Sequence, residues 1–321
     1  MLSPAVPRKA QVLPYTLYVL QWAAIALLMM SLGTREWYEN KWFSWLFLLA
    51  TTALWAPHIR HGIRRWWFFY VGGLFAYEVL RSDADSFLRF SVHMEYPIRF
   101  DKLLFAGEEP VVWLQDRMFS PSHLGIIDLL ATQMHWSFFI VPHALAAVTY
   151  IWRRDQFARY VIMMLAIEYI ALVVFFLVPT APPWLAAEYR DTEPVHRVID
   201  FVGRSLNAGA YNALAAAQAE PNSVAAMPSL HMAITFACYL WIRRSAPTFA
   251  PLFLLYSVLM AISLVYLGEH YVSDLLAGAV IALIVDQLLQ RWNDRVAARG
   301  QVAREHVPSG RLGRSLEGHG D

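Results

Sequence analysis

MPSLHMAITFACYLWIRRSAPTFAPLFLLYSVLMAISLVYLGEHYVSD, Met227 to Asp274, is the stretch on which the reading of this chain turns. It contains two apolar runs joined by a short basic turn, WIRRSAPTF, which reads as a helical hairpin. A hairpin brings the start of its first helix beside the end of its second. His231 stands at the first of those places and His270 at the other, 39 positions later. Asp274 follows His270 at i+4, one helical turn away on the same face, where a carboxylate can fix an imidazole tautomer and stabilise an imidazolium. Pro228 suits a first helical turn, Ser229 supplies a hydroxyl, and the open N–H groups of that turn form an anion site. A phosphate bound there would meet backbone donors and His231 together. The alternative is that Pro228 and Ser229 only start a membrane helix and His231 packs at its boundary.

The rest of the chain sets this hairpin in a membrane. With 58% hydrophobic and only 16% charged residues, and a mean hydropathy of +0.38, the chain is too apolar for an ordinary soluble protein. The expected fold is an all-α polytopic membrane protein of about eight transmembrane helices with interfacial helices. The expected spans are Pro14–Leu32, Trp42–Pro57, Trp66–Leu80, Trp136–Trp152, Tyr160–Val178, Pro228–Ile242, Phe249–Leu267 and Tyr271–Leu289. The first is read as a retained span, because no A-x-A cleavage site follows it before Arg35. Arg81 to His135 mixes charge with aromatic residues and reads as helices lying on the membrane surface. LVPTAPPW, Leu177 to Trp184, reads as a rigid extended exit from the fifth span with Trp184 at the interface. This divides the chain into two N-terminal helices over 1–65, a membrane core over 66–290 and a polar cytoplasmic tail over 291–321.

An even number of spans puts both termini on one side. The short basic loops with Arg60, Arg64 and Arg65, then Arg153, Arg154 and Arg159, then Arg243 and Arg244, fall on the side of Arg8 and Lys9. That side is cytoplasmic by the positive-inside rule. His231, His270 and Asp274 then all lie at extracytoplasmic ends of their spans, in an integral protein expected in the plasma membrane. A net charge of +1 with scattered arginines argues against nucleic acid. The single cysteine, Cys238, lies in an apolar run and removes disulfides and thiolate metal sites. His135 and His143 lack a metal-binding spacing and no carboxylate cluster invites magnesium, so neither metal nor cofactor is expected.

MPSLHMA and YLGEHYVSDLLAG resemble the second and third motifs of the type 2 phosphatidic acid phosphatase superfamily, over roughly residues 66 to 290. Leu230 replaces the glycine common in the phosphatases. The Ser-Leu-His version, together with LVPTAPPW, is closer to the inositol phosphorylceramide synthase branch and its relative sphingomyelin synthase. The resemblance implies a six-helix phosphatase-like core. It makes His270 the nucleophile, Asp274 its orienter, and His231 the acid and then the base. Two departures bear on the substrate. The lysine and arginine of the family's first motif have no match ahead of the long polar segment, and Leu264 stands where an arginine is usual. Both absences suit a phosphodiester, which carries one charge less than a monoester dianion.

The expected activity is therefore transfer of a phosphoryl head group from a phospholipid to a lipid or polyol acceptor through a phosphohistidine at the outer leaflet. A lipid phosphate phosphatase is the alternative on the same residues, and a non-catalytic transporter or lipid-binding membrane protein is a second. Arg99, Lys102, Arg190 and Arg197 are the cations that could fold over the site, with Ser229 beside them. For each arginine or lysine, the other reading is a solvated or lipid-phosphate contact. Within the spans, His143 and Glu168 fall at similar depth and read as a structural pair, and Asp286 reads as facing water or a neighbouring arginine.

Overall fold

The computed structural model describes residues 66–74, 76–77, 80–81, 91–189, 194–205 and 223–305. The two expected N-terminal spans, the 58–65 loop, Arg190 and the tail beyond 305 lie outside the described residues. The described part is helical, and its β-type pairing is confined to isolated bridges. After a helical segment at 66–74 come α1 (Glu95–Leu104), α2 (Pro110–Met118), α3 (Ile126–Ser137), α4 (Val141–Trp152) and α5 (Arg154–Leu177). Then follow α6 (Pro183–Glu188), α7 (Val198–Ser205), α8 (Leu230–Ser245), a 3-10 turn at Pro247–Phe249, α9 (Ala250–Tyr266) and α10 (Val272–Glu305).

α8 is the central helix and packs against α10, α9, α5 and α4. Its buried residues, from His231 through Ala233, Ala237 and Cys238 to Trp241, lie all around it, as expected of a helix enclosed on every side. Two small-residue contacts set the spacing. At Gly278 a Cβ would lie 2.3 Å from the Ser229 carbonyl oxygen, so only glycine allows α10 to approach α8 this closely. Between α8 and α9, Ser257 Oγ donates to the Thr235 carbonyl at 3.1 Å.

Among the described residues, three helices are long and apolar enough to cross a membrane: Arg154–Leu177, Pro247–Tyr266 and Val272–Val296. A fourth span is present if α3 and α4, bent by 41° at their junction, are counted as one. These make the chain an integral membrane protein, and they match the fifth, seventh, eighth and fourth expected spans. The fourth begins at Ile126, well before the expected Trp136. Asp128 and His135 made this helix look interfacial, yet both are buried, at 1% and 4% exposure. Asp128 accepts from Tyr266 Oη and from the Gly125 N–H, so its charge is satisfied inside the protein. The break between α3 and α4 coincides with Pro142, which cannot donate to the preceding turn. The Pro142 carbonyl in turn accepts from Tyr160 Oη at 2.7 Å. α8, at 16 residues, is shorter than the ~20 needed to cross hydrocarbon unaided.

Asp286 pairs with Arg244, the neighbouring arginine that the sequence suggested. His143 finds its partner in Tyr70, with Nδ1 and Oη 2.8 Å apart, and Glu168 lies within electrostatic reach of the same tyrosine. The short helices α1, α2, α6 and α7 gather at the end of the bundle where α8 and α10 begin. The proline-rich run LVPTAPPW organises that end. Thr180 bridges His93 on one side and Ala225 on the other, and the Trp184 N–H donates to the Gly268 carbonyl at 3.2 Å. One extended segment thus fixes the approach to α8 and the turn into α10 together.

Candidate active site

The site forms where the α8 and α10 N-termini meet. Ser229 is the N-cap of α8, and its hydroxyl accepts from the Met232 N–H at 3.3 Å. Its own N–H donates to the Asp274 carbonyl at 3.0 Å, stitching the two motifs together. Pro228 therefore lies outside the helix, one residue before the cap, whereas the sequence placed it in the first turn. Ser229 is buried, and its hydroxyl accepts the capping bond while keeping its own O–H to donate.

The turn into α10 is built by three residues. Gly268 has φ +77°, and a Cβ there would meet the His196 carbonyl at 2.7 Å, so both conformation and space call for glycine. Glu269, 3% exposed, pairs with Arg197 at 2.8 Å, and that guanidinium also lies over the Trp184 ring at 4.8 Å. Asp101 of α1 then accepts the Val272 and Ser273 N–H groups at 2.9 and 3.1 Å, capping α10 from another helix. Asp274 Oδ2 accepts the Tyr271 N–H at 2.9 Å.

These constraints aim three side chains at one point. His270 Nδ1 lies 3.6 Å from Asp274 Oδ2, an ion-pair separation for a protonated ring. His270 Nε2 lies 3.3 Å from His231 Nδ1. The two rings are 5% and 8% exposed, and Asp274 is fully buried. Asp274 thus governs one nitrogen of His270 and leaves the other facing His231. An electrophile bound at that nitrogen would part the two rings and keep His231 within reach of its departing oxygen.

Sequence reasoning missed several neighbours. His135, 4% exposed, stacks on His231 with ring centroids 4.6 Å apart, and Phe138, at the α3–α4 break, lies 4.4 Å from the same ring. Arg81 is within electrostatic reach of His231. A signal for the α3 contribution did exist, because Asp128, Thr132 and His135 share a face at i, i+4 and i+7. Of the cations expected at the site, Arg99 is exposed and pairs with Glu95 at 2.6 Å, and Lys102 pairs with Glu109 at 2.9 Å. Arg197 is brought to the turn through Glu269, and Arg190 lies outside the described residues.

Asp101 carries a pH prediction. Its side chain is buried, and burial pushes the carboxyl up to about 6 in spite of the two backbone N–H donors. Between about pH 4 and about pH 6 the folded state therefore binds the proton that the unfolded chain has released, and stability falls as pH rises through that window. Melting measured across it should show that fall in the wild type. Asp101→Asn should flatten the slope and lower the melting temperature throughout, because an amide can accept only one of the two N–H groups at full strength.

A family model described as the PAP2 superfamily matches residues 102–287, more than half of the chain. Comparison with curated proteins and with solved structures finds no match.

Proposed function

We propose, on the premise that the chain belongs to the PAP2 superfamily, that it acts on lipid phosphate esters at a membrane surface through a covalent phosphohistidine. The observation that carries this reading is His270, held by Asp274 at one nitrogen and facing His231 with the other. In the first step His270 Nε2 attacks phosphorus, the ester P–O bond breaks, and His231 gives its proton to the leaving alkoxide. In the second, an acceptor O–H attacks the phosphohistidine, its proton passes to His231, and the P–N bond breaks. One imidazole could not both hold the phosphoryl group and shuttle the proton. The proton lost in the first step is recovered in the second.

Within this class the preferred reading is head-group transfer from a phospholipid to a lipid or polyol acceptor. Both rings are almost closed to solvent, which disfavours water as acceptor. Arg99, Lys102 and Arg197 are each engaged by a glutamate, and Leu264 offers no charge, so the site suits the single charge of a diester. Hydrolysis of a lipid phosphate monoester is the second reading, favoured by Arg81 beside His231. The site is assigned to the extracytoplasmic side of the plasma membrane, within a six-span core over residues 66–290. Purified protein supplied with a head-group-labelled diester lipid should form product only when an alcohol acceptor is added. Acceptor-independent release of phosphate from a monoester, with the diester untouched, would replace transfer by hydrolysis.

A further inference from the structure

The proposed chemistry uses only one end of the bundle. From His231 to Arg244 along α8, and from Asp274 to Asp286 along α10, the opposite end is about 20 Å away at about 1.5 Å per residue. There Arg153 and Arg154 form the α4–α5 corner, Arg159 lies further along α5, and Arg243 and Arg244 end α8. Arg153 Nη2 donates to the Ser245 carbonyl at 2.9 Å, tying that corner to the end of α8. Arg244 pairs with Asp286 of α10, and Arg159 is within electrostatic reach of Arg244, Asp286 and Asp294. Counting Arg291 and Arg295 on the next turns of α10, seven arginines stand against three aspartates, Asp155, Asp286 and Asp294, so positive charge is in excess.

Arg159 stands among these charges with one guanidinium nitrogen unmatched. Its Nε is shut off from solvent and makes no hydrogen bond among the described residues, although a second guanidinium lies close by. A donor shut off from solvent without an acceptor is costly, and an anionic oxygen reaching this half-buried guanidinium would supply the missing bond and offset the repulsion. Trp152, Phe249 and Trp292 are 62%, 57% and 67% exposed at this end, in the manner of aromatic residues at a membrane–water boundary. The N-terminus of α5, a helix of 24 residues, opens at the same place.

We propose that Arg159, with Arg154 and Arg244, binds the phosphate of an anionic phospholipid head group in the leaflet at this end, at a site separate from the histidine pair. The assignment does not depend on the chemistry at His270. It is tested on the purified full chain by melting in micelles doped with phosphatidylcholine, with phosphatidylglycerol, or with inorganic phosphate alone. Phosphatidylglycerol alone should raise the melting temperature by several degrees. Arg159→Gln should lose at least half of that gain, Arg159→Lys should keep most of it, and Arg204→Gln, an exposed arginine on α7, should keep all of it. An equal gain in Arg159→Gln and wild type would overturn the site, and an equal gain from inorganic phosphate would overturn the lipid as its source. Native mass spectrometry of the wild type reads the same claim without variants: selective retention of phosphatidylglycerol supports it, and equal retention of phosphatidylcholine contradicts it.

Discussion

Replacing His270 with Ala should abolish turnover, with a loss of at least ~10³-fold and an unchanged melting profile, because the proposed mechanism puts the nucleophilic nitrogen on this residue. His231→Ala loses nearly as much. Its Nδ1 lies 3.3 Å from His270 Nε2, within reach of the protons that the proposed mechanism moves. Asp274→Asn should retain more activity than either histidine variant, since an amide can still hold the His270 ring but cannot stabilise its cation. The three losses do not add: the double variant His231→Ala/His270→Ala is about as inactive as either single one, as expected of residues serving one intermediate. Steady-state rates on the labelled diester lipid measure this series. Wild-type rates in His270→Ala would remove this residue from the chemistry, and no turnover by the wild type would leave a transporter or lipid-binding role as the reading to pursue.

Gly278→Ala produces the second large effect, without touching a reacting atom. The added methyl would lie 2.3 Å from the Ser229 carbonyl oxygen and 3.2 Å from the Ala233 nitrogen, both backbone atoms at the start of α8. No side chain can rotate away, so α8 and α10 must separate at the level of His231 and Asp274. Overpacking of this kind costs about 1–3 kcal/mol or more. A displacement of about 1 Å at the reacting groups can cost a further ~10² in rate. The control is Gly72→Ala, where a Cβ meets nothing within 4 Å. That variant should melt and turn over as the wild type does, whereas Gly278→Ala should lose both folded yield and activity.

The histidine pair was legible in the sequence because its geometry is local. A helical hairpin returns the end of its second helix to the start of its first, and i+4 spacing places Asp274 under His270. The same reasoning could not reach Asp101, which caps α10 across 171 positions, or His135, which meets His231 through the bend at Pro142. Contacts of that kind depend on how helices are arranged, and spacing along the chain does not encode it. The α3 boundary was misplaced for a related reason. Asp128 and His135 are polar in the sequence and read as surface, but α3 turns them inward to Tyr266 and His231. Ser229 was read as a phosphate contact with a helix start as the alternative, and its hydroxyl caps α8. Long apolar stretches such as Arg154–Leu177 were the easiest elements to read, since length and hydropathy alone distinguish them.

Phosphorylation of His270 is the step on which the proposed activity depends. The direct measurement is a rapid acid-free quench of the purified protein with a phosphorus-labelled donor lipid, followed by peptide mapping. The label should be stable in alkali, labile in acid, and attached to the peptide containing His270. It should be absent in His270→Ala and accumulate in wild type when acceptor is withheld. No covalent label under conditions of turnover, or a label on another residue, would contradict that step.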